Sequence, residues 1–117
     1  VDSTFGFNRT VGLKPGTSHP YVLWDAEAGA PMPLVEVPFA AMDTSLVAMG
    51  LHHSGSADAV ETLKALGAGI AAAGGVLCLN WHPHYLPVAR IHEVYVAMLA
   101  WARDQGAVHR RFDSFAR

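Results

Sequence analysis

The segment Leu79-Asn80-Trp81-His82-Pro83-His84 gathers the side chains best suited to chemistry in this chain. An imidazole exchanges a proton near neutral pH, so His82 can serve as an acid or a base, and the adjoining Trp81 indole offers an apolar wall able to stack on a sugar ring. The apolar run Val76-Leu77-Cys78-Leu79 just before it reads as a strand covered on both faces. The histidines thus follow the carboxyl end of a strand, where parallel α/β folds meet their ligands. His82 is the leading catalytic candidate. The competing reading makes His82 and His84 hydrogen-bonded loop residues without a chemical role.

A second constellation is Gly12-Leu13-Lys14-Pro15-Gly16-Thr17-Ser18-His19-Pro20, with Arg9 before it. Its glycines permit close approach of backbone to a ligand, and Lys14 or Arg9 can orient a carboxylate; the alternative is a turn carrying a solvated lysine. Adjacent residues usually point in different directions, and the pair His52-His53 has no partner at helical ligand spacing, which disfavours metal binding. His19, His92 and His109 are isolated, as surface or structural histidines usually are. Asp25 and Glu27 read as turn carboxylates, and Glu36 and Asp43 bracket a strand, either functional or simply solvated. A phosphate-cradling glycine loop and a nucleophile elbow are both missing.

The elements that must position these groups follow from pattern. Residues 1–33 are punctuated by Gly6, Gly12, Pro15, Gly16, Pro20, Gly29, Pro31 and Pro33 and read mainly as an ordered loop over a binding face. Leu34 to Ala40 reads as a short strand with Pro38 near its end. A helix is expected from Ser56, with Ser56 as cap and Val60, Leu63, Leu66 or Gly67, and Ile70 as its apolar stripe, ending near Gly74-Gly75. Ile91, Val94, Tyr95, Met98, Trp101 and Ala102 define a second helix up to Gly106, and a last strand is expected over Ala107 to Arg110. Strands alternating with helices across short glycine joints predict βαβ units in a parallel α/β sheet or barrel.

Composition narrows the partners. The chain has 117 residues, 51% hydrophobic and 15% charged, with a formal net charge of −2. It is one domain at most, unusually rich in apolar surface to bury, either within itself, against a missing half or against another subunit. Scattered Lys and Arg give no electrostatic footprint for nucleic acid or acidic lipid, and no stretch reaches the roughly 20 apolar residues needed to span a bilayer. The single cysteine, Cys78, reads as a small buried hydrophobe. The chain begins at Val1 and is expected to be a fragment of a longer protein.

Three short strings, Asp2-Ser3-Thr4-Phe5-Gly6-Phe7, Gly12-Leu13-Lys14-Pro15-Gly16-Thr17 and Leu79-Asn80-Trp81-His82, resemble in order and spacing the second half of a polysaccharide deacetylase domain, particularly a bacterial branch of that family. Glu36-Val37-Pro38-Phe39 followed by Met42-Asp43 is similar as well, so the resemblance covers nearly the whole of residues 1–117. It implies the C-terminal portion of a distorted (β/α) barrel and hydrolysis of a carbohydrate N- or O-acetyl group by metal-activated water. His82 is then the late-motif histidine, the general acid for the departing amine or alcohol. Lys14 occupies the place of a family arginine that tunes the base, and Trp81 and His84 join it as substrate-binding or base-tuning residues.

The same resemblance implies a divalent metal, usually zinc, held by an Asp-His-His set from early motifs that this chain lacks, together with the Asp base. A metal site takes about three protein ligands with one position open, and no such set can be assembled from this sequence. By itself the chain is expected to be inactive, with a carbohydrate as substrate and either self-association or a missing N-terminal half covering its open edges. A different class remains open beside it, a carbohydrate-binding or structural module of the same descent with Trp81, Tyr85 and Trp24 as stacking surfaces. So does a small α/β domain with incidental histidines.

Overall fold

The computed structural model of the chain describes residues 1–50 and 55–115. The His52-His53 pair lies outside the described residues. In chain order the elements are β1 (Tyr21–Asp25), β2 (Ala30–Glu36), β3 (Ala41–Met42), α1 (Asp43–Ala48), α2 (Ser56–Ala72), β4 (Leu79–Asn80) and α3 (Ala89–Asp104), with short 3₁₀ turns at Pro83–Tyr85 and Phe112–Phe115.

Strands β1 and β2 form an antiparallel hairpin, Tyr21 opposite Glu36 and Asp25 opposite Ala30. The turn is built by Asp25, whose carboxylate accepts the amides of Glu27 and Ala28 at 2.9 Å each, and by Gly29 at φ 61°. This hairpin corrects the expectation of a loop through residue 33. Pro31 and Pro33 look like breakers, yet a two-stranded ribbon leaves each strand with an open edge on which a missing N–H is tolerated. The preceding segment is irregular but tied down. Asp2 exchanges backbone hydrogen bonds with Val35 and Val37 at 2.8 Å, Gly12 N–H donates to Ala40 at 2.8 Å, and Ser45 Oγ donates to the Phe7 carbonyl at 2.8 Å. Gly6 is obligatory, because a Cβ there would collide with the ring of Phe39.

Strands β3 and β4 pair in parallel, Ala41 opposite Leu79 and Met42 opposite Asn80, and helices α1 and α2 lie between them in sequence. The described residues thus form two separate two-stranded sheets, one antiparallel and one parallel. No barrel closes among the described residues, which overturns the expected distorted (β/α) barrel. Closure needs a ring of mutually paired strands, as eight are in the (β/α)₈ case, and here the parallel ladder is only two residues long on each side. The expected strand over Val76 to Leu79 shrinks to Leu79–Asn80; Val76 N–H instead reaches the Ser18 carbonyl at 3.0 Å. Residues 107–110 form no strand and are exposed.

The helices follow their apolar periods. α2 buries Leu63, Gly67 and Ile70, and α3 buries Ile91, Val94 and Met98. Leu63, Ile91, Val94 and Met98 make the main core with Ala41 and Leu46, and Leu79, Trp81, Tyr85 and Trp101 pack onto it. Ser56 does not cap α2: Gly55 holds that position, and Ser56 Oγ donates to Glu93 Oε2 on α3 at 2.7 Å. Gly74, at φ 70°, ends α2 in a left-handed turn, with Gly75 N–H returning to the Ile70 carbonyl at 3.0 Å. Among the described residues no helix is long and apolar enough to cross a membrane.

A smaller cluster of Val37, Phe39, Met42 and Cys78 closes the other side of the parallel pair. Cys78 Sγ lies 3.3 Å from Ser3 Oγ. Burial pushes the Cys78 thiol above its ordinary value; the Ser3 contact opposes the rise and the Glu36 carboxylate adds to it. Tyr21 is raised for the same first reason, burial, again with Glu36 contributing.

Two predictions follow from this packing. A Cβ at Gly67 would sit 2.6 Å from the Trp101 ring, whereas one at Gly69 meets nothing within 4 Å. Gly67→Val should therefore cost about 1–3 kcal/mol in urea denaturation, while Gly69→Ala should stabilise by about 0.5–1 kcal/mol. Because the folded Cys78 thiol titrates above the unfolded one, its contribution is intact below the ordinary thiol range of about 8.5 and fades as pH rises through and beyond it. Denaturation midpoints measured from pH 8 upward should fall, and Cys78→Ala should flatten the first part of that fall.

Candidate active site

The parallel register brings the chemistry together. Asp43 is the first residue of α1, directly after β3, and His82 lies two residues beyond β4. Because Met42 faces Asn80 in the ladder, the two side chains emerge from neighbouring strand ends. His82 Nδ1 is 2.7 Å from Asp43 Oδ1, and the His82 backbone N–H donates to Asp43 Oδ2. Oδ1 also accepts the Thr44 amide at 2.7 Å. Asp43 is completely buried, whereas the His82 side chain keeps 38% of its surface exposed.

This arrangement decides what the imidazole presents. All partners of the Asp43 carboxylate are donors, so Nδ1 carries its proton toward Asp43. Nε2 is then the nitrogen turned away from Asp43. In the neutral ring it offers a lone pair, and in the protonated ring it offers N–H, while the buried carboxylate fixes the tautomer and the ring plane. The pair is a positioned acid–base group with one working end.

Of the other expected site residues, His84 joins the pair and the rest do not. The His84 ring lies 5.4 Å from that of His82 and 4.5 Å from that of Tyr85. Trp81 turns the opposite way, into the main core, 5.7 Å from Tyr95, with its Nε1 buried and without a hydrogen-bond partner. Side chains alternate along an extended segment, so neighbours Trp81 and His82 take opposite sides. Lys14 is exposed and sits 5.0 Å over the Phe5 ring; among the described residues neither it nor Arg9 bonds to Asp43 or His82. His19 Nε2 meets the Ala73 carbonyl at 3.1 Å at the end of α2, and His92 and His109 are exposed. Trp24 is 65% exposed on the hairpin.

Asp43 is the residue whose role sequence reasoning left open. A carboxylate immediately after one parallel strand and an imidazole just after its neighbour was the available signal, hidden by the helical start at Asp43. Glu36, the other bracketing carboxylate, is also buried, but it accepts the Phe5 amide at 3.0 Å and anchors the N-terminal segment. Among the described residues no three His, Cys, Asp or Glu side chains are grouped to hold a metal ion. Asp43 is already engaged with His82 and Thr44, so these residues do not fit a hydrolytic metal centre.

Comparison of the chain with protein-family models, with curated proteins and with solved structures finds no match.

Asp43→Ala is predicted to release the His82 tautomer. With no acceptor beside Nδ1, the neutral ring should populate the Nε2–H form as well, a change visible in long-range ¹H–¹⁵N spectra recorded where the ring is neutral. An unchanged tautomer would show that Asp43 does not orient the ring.

Proposed function

We propose that this chain supplies the acid group of a carbohydrate deacetylase, with His82 protonating the departing amine or alcohol as the acetyl group is hydrolysed. The observation that carries this reading is the buried Asp43 carboxylate behind the half-exposed His82 ring, bonded at Nδ1 and leaving Nε2 turned away from Asp43. A protonated Nε2 can deliver its proton to a leaving group held outside the ring, and Asp43 then holds the neutral ring in the same plane for the next proton. The resemblance of Asp2 to Phe7, Gly12 to Thr17 and Leu79 to His82 to the polysaccharide deacetylases names the substrate class.

Supporting this over a binding module, a sugar-stacking surface needs no fully buried carboxylate aimed at an imidazole. Burying such a group costs several kcal/mol unless donors surround it, as they do here. The divalent metal that the family uses, usually zinc, is assigned to residues other than those described. The chain on its own is accordingly inactive in this reading, and Lys14 serves as a surface cation near Phe5 with no direct part in the proton transfer.

In a protein that joins this chain to a metal-holding segment, His82→Ala should lower kcat for acetate release from an acetylated chito-oligosaccharide by about 10²–10⁴-fold. KM should change little, and Asp43→Asn should fall in between. Full activity in His82→Ala, or acetate release by residues 1–117 alone under chelation, would sink the proposal.

A further inference from the structure

Beyond His82 the chain makes a tight 3₁₀ turn over Pro83–Tyr85, started by the fixed φ of Pro83. Tyr85 N–H donates to the His82 carbonyl at 3.0 Å, Leu86 N–H to Pro83 at 3.2 Å, and Val88 N–H to Tyr85 at 3.0 Å. These bonds hold three rings in one cluster. His84 and Tyr85 are centred 4.5 Å apart at 40°, and the His82 ring lies 5.4 Å from the first and 6.4 Å from the second. Tyr85 rests partly on the main core, while His84 is exposed.

We infer that the rings of His84 and Tyr85 form a stacking subsite for one sugar ring beside the His82 ring. The chemistry of the surface carries this. An aromatic face is electron-rich and attracts the C–H face of a pyranose, and the imidazole nitrogens and phenol hydroxyl can bond its ring hydroxyls. Among the described residues neither the His84 nitrogens nor the Tyr85 hydroxyl has a hydrogen bond or ion pair within the chain, so these polar edges are available. Asp43, the carboxylate bonded to the neighbouring His82, is completely buried and already accepts three donors, so it presents no exposed negative charge to a cationic ligand. The turn also rigidifies the rings before binding, which lowers the ordering cost of the complex.

The inference rests on the deacetylase reading for the identity of the ligand, and it replaces the larger set Trp81, Tyr85 and Trp24 as the stacking surface. Trp81 is turned into the core, and Trp24 lies on the separate hairpin sheet.

The test is an NMR titration of the 117-residue chain with N,N′,N″-triacetylchitotriose at millimolar concentrations. Ring resonances of His84 and Tyr85 should shift in a saturable manner. His84→Ala, at an exposed position, should weaken binding by about 3- to 10-fold, the effect of losing one aromatic contact. Tyr85→Leu, which keeps an apolar group against the core, should weaken it similarly, and Trp24→Ala, on the separate hairpin, should leave it within about twofold. Absence of binding, binding insensitive to His84→Ala and Tyr85→Leu, or binding abolished only by Trp24→Ala would each overturn the subsite. Binding that follows His84 and Tyr85 in a protein whose activity survives His82→Ala would retain the subsite and remove the deacetylase reading alone.

Discussion

A carboxylate with no exposure to solvent constrains this structure more than any other single group. Asp43 is tolerable at the centre of the fold only because the His82 amide, the His82 ring and the Thr44 amide all donate to it. Removing those donors would leave an uncompensated charge among apolar side chains, at a cost of several kcal/mol. The parallel pair β3 and β4, the start of α1 and the path of the chain into Pro83 are all compatible with that requirement. A structural need and a chemical capacity thus share one hydrogen-bond set.

The two faces of the segment after β4 divide the work. Trp81 goes inward and completes the core against Tyr95, while His82 goes to the side of Asp43. The core side fixes the backbone, and the fixed backbone fixes the ring. The half-exposure of His82 is then the compromise between orientation, which burial improves, and proton exchange, which needs access to the outside.

Much of the helical part of the fold was legible from sequence. The stripes Leu63, Gly67, Ile70 and Ile91, Val94, Met98 are the buried faces of α2 and α3, and both helices stop short of the glycines at 74 and 106, whose positive φ ends them. The strands were harder to read. Pro31 and Pro33 hid β2 because proline signals a break unless the edge is known to be free, and Tyr21 to Trp24 is too uniformly apolar to display the alternation that its burial shows. The barrel expectation came from the family resemblance, which chose the barrel among the folds that βαβ-like joints allow, when only a two-residue parallel ladder forms. His82 was singled out by its place after an apolar strand and by the family resemblance together. Its partner was not, since the contact spans the intervening helices and no local period connects residues 43 and 82. Lys14 was placed near the site by motif position, and its cation–π contact with Phe5 reflects a local choice that motif spacing does not encode.

The separation of Asp43 and His82 along the chain also bears on how the protein reaches its native state. Helices α2 and α3 can begin to form from local contacts, but the acid pair requires β3 and β4 to meet after α1 and α2 have been laid between them. A register slip of one residue would move the strand by about 3.3 Å, enough to carry the imidazole and its amide away from both carboxylate oxygens. Asp43 would then be desolvated without donors, so misregistered compact states are penalised at the very position where the native state is best satisfied. The chain thereby checks its own strand pairing through the contact between Asp43 and His82.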